Sequence, residues 1–233
     1  MYHMSGQGVY QLFKRFRVYT RTYHPVGKRK GIQYDRYEAK KANEIWHLDF
    51  AGPFTTNDGR KCWVLVAVEA YSRLLLTLNV VESLESRTVL DILDNLLSQY
   101  GKPETIVTDN ASTCTSVWED GRHVFTDSLN ARGIEHRLIP AYYPEANGKA
   151  EAAVNITKKE AILPFLKEHP DWTIERLQTL LDRFQEYDNF DRLHGGIGWR
   201  TPAQLWLTKE DEPPKQLDNL FFITEPELHF EFC

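Results

Sequence analysis

Residues 45–51 alternate: Trp46, Leu48 and Phe50 fall on one face, His47 and Asp49 on the other. That is the period of a half-buried strand, here with a carboxylate on one side. Asn57-Asp58-Gly59 has hairpin-turn chemistry, and residues 62–70 are an almost unbroken apolar run, which predicts a well-covered strand. Tyr71-Ser72-Arg73 turns the chain into a third strand over residues 74–81. The period then changes. Apolar residues at 89, 90, 93, 96 and 97, followed by Gly101 and Pro103, predict a helix over 86–100 with a glycine stop. Thr105-Ile106-Val107-Thr108 is a short β-branched strand that delivers Asp109 at its carboxyl end. A helix over 124–132 stops at Gly133, residues 134–139 read as a fifth strand, and two helices are predicted over 146–163 and 173–189.

The resulting order, β-β-β-α-β-α-β-α-α, predicts an α/β fold with a mixed five-stranded sheet flanked by helices. Right-handed crossovers bring the fourth strand beside the first. Open α/β sheets bind ligands beyond the carboxyl ends of their strands, which is where Asp109 falls, with Asp49 in the strand next door. On the helix over 146–163, Ala150, Ala153/Val154, Thr157 and Ala161 form the core stripe, while Glu151, Asn155 and Lys158 form the stripe beside it. Glu151 therefore sits at the edge of the buried face. Asp49, Asp109 and Glu151 are remote in sequence yet converge at one strand-end site, a concentration of negative charge that a divalent metal neutralises. The expected chemistry is metal-dependent phosphoryl transfer on nucleic acid.

At 233 residues and 42% hydrophobic, the chain suits one well-buried core with appendages. Cys62, Cys114 and Cys233 are odd in number and widely spaced, which supports neither a disulfide framework nor a zinc finger. The expected setting is reducing and intracellular, nucleoid or cytoplasm in a prokaryote and nucleus in a eukaryote. No apolar run reaches the ~20 residues that span a bilayer, so no membrane partner is expected. The net charge of −5 changes meaning when it is divided: residues 1–41 hold ten Lys and Arg against Asp35 and Glu38, a net of +8, leaving −13 for the rest. Residues 9–18 have the period of a short basic helix, and 20–41 read as a linker. The organisation predicted is a basic arm over 1–41, a compact domain over 42–207 and an acidic tail over 208–233. A basic arm binds phosphate backbones by counterion release; the plainer alternative is a solvated leader.

Trp46-His47-Leu48-Asp49, Thr108-Asp109-Asn110 and Tyr143-Pro144-Glu145-Ala146-Asn147-Gly148-Lys149-Ala150-Glu151 together resemble the three blocks of the DDE integrase/transposase catalytic core. Arg192-Leu193-His194-Gly195-Gly196 followed by Thr201-Pro202-Ala203 is similar to the tail of insertion-sequence transposases. The resemblance implies a ribonuclease-H-like fold, with Asp49, Asp109 and Glu151 as catalytic residues and as ligands of Mg²⁺ or Mn²⁺, two ions in all. It also implies DNA ends and target DNA as partners, and a homo-oligomer, dimer or higher. Lys149, Asn155, Lys158 and Lys159 on the third-block helix, with Arg15, Arg17, Lys28, Arg29 and Lys30 in the arm, are the expected DNA contacts. Residues 9–18 are similar to the last helix of the helix-turn-helix that precedes such cores.

The family's usual gap of 35 residues after the second Asp leads to Glu145, whereas the motif leads to Glu151, after a gap of 41. Glu151 is preferred, because it lies inside the helix beside its buried stripe and Glu145 precedes it. Two departures from the pattern are Ala111, where glycine is common, and Ala152, where a basic residue is common. Each residue also has a plainer reading: Asp49 as a lysine-paired strand carboxylate, Asp109-Asn110 as a turn pair, Glu151 as a solvated helix residue. His47 reads as a core histidine or a metal or substrate contact, and Arg192 and His194 as DNA contacts or turn stabilisers. The functional alternatives are an active transposase or integrase core, a truncated or domesticated relative that binds DNA or protein without catalysis, and a stand-alone nuclease of the same fold.

Overall fold

A computed structural model of the chain describes residues 38–109, 124–139 and 148–208. The expected basic helix over 9–18, the arm residues Arg15, Arg17, Lys28, Arg29 and Lys30, Glu145 and the acidic tail from residue 209 lie outside the described residues. The chain divides into Met1–Asp35 and Arg36–Cys233, and every described residue belongs to the second unit.

Strands β1 (Ile45–Thr55), β2 (Lys61–Glu69) and β3 (Leu75–Val81) form an antiparallel meander. Helix α1 (Ser86–Tyr100) then leads to β4 (Thr105–Thr108), and α2 (Val124–Ala131) leads to β5 (Glu135–Leu138). The sheet order is β3-β2-β1-β4-β5, with β1, β4 and β5 parallel. The fourth strand lies beside the first, as the crossover rule requires. Strand β1 outruns the alternating stretch over 45–51. Its register with β2 shifts between Ala51 and Phe54, where Gly52 takes φ +130°, a conformation a side chain would strain. Helix α1 ends where expected: Gly101, at φ +82°, donates its N–H to the Leu97 carbonyl.

The alternation in β1 sorts the two faces of the sheet. Trp46 and Leu48 join Leu65, Ala67 and Leu76 under Val89, Leu93 and Leu96 of α1, Phe125 and Leu129 of α2, and Trp206 of a C-terminal helix, α6 (Pro202–Leu207). On the opposite face Ala51, Val64, Val66, Val68 and Leu78 pack beneath Ala150, Ile162, Leu177 and Leu181. Those residues come from α3 (Gly148–Ile156), its continuation, and α5 (Ile174–Phe190). The result is a three-layer sandwich, helices over both faces of one sheet.

Two features were not foreseen. The helix expected over 146–163 does not stay regular: α3 passes into a π-helical segment, Thr157–Ile162, then into α4, Leu163–Glu168. The Leu163 N–H reaches back to the Lys158 carbonyl. This widened turn stands just ahead of Pro164, whose ring would clash with the carbonyl four residues back in a regular helix. The second feature is the way the exposed edge of the sheet is closed. Asn189, Gln185 and Gln178 of α5 use their side-chain amides to satisfy the backbone of β3. The Leu75, Leu78 and Val80 N–H groups donate to Asn189 Oδ1, Gln185 Oε1 and Gln178 Oε1 at 2.8, 3.1 and 2.7 Å. The same amides donate to the Leu75 and Leu78 carbonyls at 2.9 to 3.0 Å. An edge strand left open would invite pairing with another chain, and here the helix covers it.

Candidate active site

The parallel ladder between β1 and β4 ends with Leu48 opposite Thr108. Asp49 continues β1 and Asp109 follows the last residue of β4, so one further step of the ladder, with strands about 5 Å apart, would set them opposite each other on one side of the sheet. That side is the one α3 covers. Ala150, fully buried, anchors the first turn of α3 to the sheet, and Glu151 follows it at the exposed edge. Three chain segments far apart in sequence thereby contribute to one side of the sheet.

The Asp49 carboxyl is pushed up to about 6, first by burial and then by the negative charges of Asp109 and Glu151, against the opposing pull of the Phe50 N–H. That N–H donates to Asp49 Oδ1 at 2.7 Å and orients the carboxylate. The charges of Asp109 and Glu151 both bear on Asp49, so β1, the end of β4 and the first turn of α3 direct negative charge towards one place.

Of the expected DNA contacts, Asn155 and Lys159 are exposed and Lys158 is half-buried, with Lys158 and Lys159 inside the π-helical segment. Lys149 is half-buried, and burial together with the neighbouring Arg73 guanidinium lowers its ammonium below the usual range. His47 is fully buried on the face it shares with Asp49. Arg192 is a structural tie: its guanidinium grips both Glu160 oxygens at 2.5 and 2.9 Å, joining the π-helical segment to the end of α5. His194 lies 3.4 Å from Asp188, and its backbone pairs with Arg200. Sequence reasoning passed over Asp188. Its signal was phase, since it falls eleven residues after Leu177 and seven after Leu181, a polar residue on the buried stripe of α5.

The family description Integrase core domain matches residues 39–144 and, in a second version, 132–202. This chain belongs to the integrase-like superfamily. The integrase core is 35% identical to an uncharacterized protein of Caenorhabditis elegans over 113 residues, 48% of this chain and 8% of that protein. It is 25% identical to a putative integrase of a Spiroplasma virus over 184 residues, 73% of this chain. The chain spans 8% and 49% of the lengths of these two relatives. Among solved structures, a chain of the simian T-cell lymphotropic virus intasome complex superposes with a TM-score of 0.63 at 18% identity, covering 80% of this chain and 63% of that one. The HTLV-2 integrase catalytic core, determined with magnesium, superposes at 0.55 and 18% identity, covering 72% of this chain and 99% of that one. The catalytic core of BIV integrase superposes at 0.51 and 22% identity, over 71% and 94%. These likenesses establish the ribonuclease-H-like fold of the integrase core.

The donor set of the carboxylate site is oxygen only, the chemistry that suits Mg²⁺ or Mn²⁺ rather than Zn²⁺. Among the described residues, no group of three or more His, Cys, Asp or Glu side chains is arranged to hold a metal ion as it stands. The Asp49 carboxyl is raised first by burial, with the charges of Asp109 and Glu151 adding to it, so a bound cation would relieve a cost that the folded chain carries. The residues therefore fit a divalent ion in chemistry, and binding one requires the carboxylates to draw together. Among the described residues, no helix is long and apolar enough to cross a membrane.

Proposed function

We propose that this chain cleaves DNA and joins DNA strands by a DDE-type phosphoryl transfer in which Asp49, Asp109 and Glu151 hold divalent metal. The observation that supports this reading is the register of β1 and β4, which runs to Leu48 opposite Thr108, one residue short of Asp49 and Asp109, with the charges of Asp109 and Glu151 acting on Asp49. Mg²⁺ or Mn²⁺ bound there would supply positive charge for an in-line displacement at a phosphodiester.

The protein's own groups do the rest. Asp49, fixed by the Phe50 N–H, and Asp109, fixed at a strand end, supply rigid oxygen donors, and Glu151 adds a third from a helix anchored by Ala150. Lys149, Asn155, Lys158 and Lys159 run along the same helix and contact the phosphate backbone beside the reacting bond. No residue forms a covalent intermediate: water as nucleophile nicks the DNA, and a 3′-hydroxyl as nucleophile joins it to a second strand. The basic arm over 1–41 extends the backbone grip, the domain over 42–207 carries the chemistry, and the acidic tail over 208–233 lies outside it. The matched integrases are known as an intasome and as dimeric and trimeric cores, which supports a homo-oligomer on DNA here as well.

Asp49→Asn and Asp109→Asn are each expected to abolish Mn²⁺-dependent cleavage of a DNA duplex, with circular dichroism unchanged. A variant that cleaves at the wild-type rate removes its residue from the site, and a wild-type chain that binds DNA without cleaving it identifies an inactive relative.

A further inference from the structure

Beside the first turn of α3 lies a cavity of about 530 Å³, within the usual range of small-molecule sites. Three buried polar atoms of its lining residues lack hydrogen-bond partners: Thr157 Oγ1, Asp188 Oδ1 and His194 Nε2. Thr157 is fully buried and Asp188 is 3% exposed. Each such atom carries a desolvation cost that native interiors seldom leave uncompensated. The neighbours do not supply the missing bonds. Arg192 is bound to Glu160 and stands 3.6 Å from Asp188 Oδ1, and His194 Nε2 stands 3.4 Å from Asp188 Oδ2, ion-pair range without a hydrogen bond.

The lining specifies an occupant. Asp188, when ionised, only accepts, so the occupant must bring an N–H or O–H donor, while Thr157 and His194 can take either role. Arg73 and Lys149 also line the cavity, two cations against Glu38 and Asp188, and they stand close enough for Arg73 to lower the Lys149 ammonium, which suits an anionic group beside them. Val68 and Leu75 on one wall and Ala153 and Ile156 on the other accept flat apolar faces. A bare anion would meet Arg73 and Lys149 but leave Asp188 without a donor. A divalent cation would meet Asp188 but face Arg73, Lys149 and Arg192. A nucleotide meets these demands together: its phosphate suits Arg73 and Lys149, its base suits the apolar lining, and the exocyclic amine of adenine, guanine or cytosine, with two hydrogens to donate, suits Asp188 better than the single ring N–H of thymine.

We infer that this cavity binds a nucleotide bearing adenine, guanine or cytosine, with its phosphate at Lys149 and Arg73, its base between the sheet and α3, and its amine donating to Asp188. The source is a free mononucleotide or an unpaired nucleotide of DNA drawn out of the stack. Only the DNA source rests on the DNA-joining reaction proposed above.

The test titrates the full chain with dAMP, dGMP, dCMP, dTMP and deoxyribose 5-phosphate by calorimetry. In parallel it titrates a DNA duplex with a three-nucleotide overhang of deoxyadenosines or of abasic residues. The amine-bearing nucleotides should bind about tenfold more tightly than dTMP or the bare sugar phosphate, the ratio that one well-made hydrogen bond of ~1.4 kcal/mol supplies. Asp188→Asn, which replaces an acceptor by a mixed amide, should erase that preference. Thr157→Val, which removes a hydroxyl that bonds to no other group, should weaken binding severalfold without unfolding the chain. Preference in the overhang assigns the pocket to DNA, and preference among mononucleotides alone assigns it to a free nucleotide; both uphold it. Equal binding of all five small ligands, no binding at all, or a preference that survives both variants overturns it. Strand joining in Mn²⁺ is measured on the same preparation: joining without nucleotide preference refutes the pocket alone, and preference without joining refutes the reaction alone.

Discussion

Asp49→Asn should stabilise the metal-free protein at neutral pH. The folded state holds the Asp49 carboxyl up to about 6 against an ordinary value of 3.8, because burial and the charges of Asp109 and Glu151 oppose its ionisation. A gap of that size at ~1.4 kcal/mol per pH unit corresponds to about 3 kcal/mol. The sign follows from proton binding. Between pH 4 and 6 the folded chain holds a proton on Asp49 that the unfolded chain has released, so the penalty is absent below about pH 4, grows through this window, and is complete above about pH 6. An amide carries no charge and removes the penalty. For a domain of this size, about 3 kcal/mol is roughly 6–12 °C in Tm. The assay is thermal or urea unfolding of wild type and variant in EDTA at pH 7.5 and at pH 4.5. The variant should be more stable at pH 7.5, with the difference shrinking at pH 4.5. Adding Mn²⁺ at pH 7.5 should reverse the order, because the ion stabilises the intact carboxylate set and finds fewer charges in the variant. A variant equal to or less stable than wild type at pH 7.5 in EDTA would show that neither burial nor the charges of Asp109 and Glu151 weigh on Asp49 in the folded chain, and the electrostatic support for a metal site would fall.

Glu151→Gln should eliminate strand transfer in Mn²⁺ while Glu145→Gln leaves most of it, and the opposite pattern would show that the 35-residue gap, not the helix, identifies the third ligand. Deleting residues 1–41 should weaken DNA binding and flatten its salt dependence, by about 0.9 in the log–log slope for each phosphate that the arm neutralises; an unchanged slope makes the arm a solvated leader. Asn189→Leu should destabilise the fold by about 2–4 kcal/mol in urea unfolding, since the Leu75 N–H and carbonyl lose their buried partner. A change below about 0.5 kcal/mol would mean that water replaces the amide at that edge.

Much of the fold was legible along the chain. Periodicity and turn chemistry are local, so the strands around Asp49 and Asp109, the helix ended by Gly101 and the buried stripe of Ala150, Thr157 and Ala161 could be read before any tertiary packing was known. Even the adjacency of β1 and β4 follows from the handedness of crossovers. Register does not follow from local pattern. Only the sheet determines that Leu48 faces Thr108, and a slip of one residue would have turned Asp49 away from Asp109 to the opposite face. The clasp of Gln178, Gln185 and Asn189 on β3 was equally hidden, because polar residues on a helix read as solvated until a strand edge about a hundred residues earlier in the chain is set beside them. Asp188 shows the same limit: a carboxylate on a buried stripe marks an exception in the sequence, and only packing against Thr157, His194 and the end of β2 makes that exception a cavity. Local periodicity specifies each element, whereas long-range hydrogen bonds and burial, which depend on which edges and faces meet, decide what the elements do together.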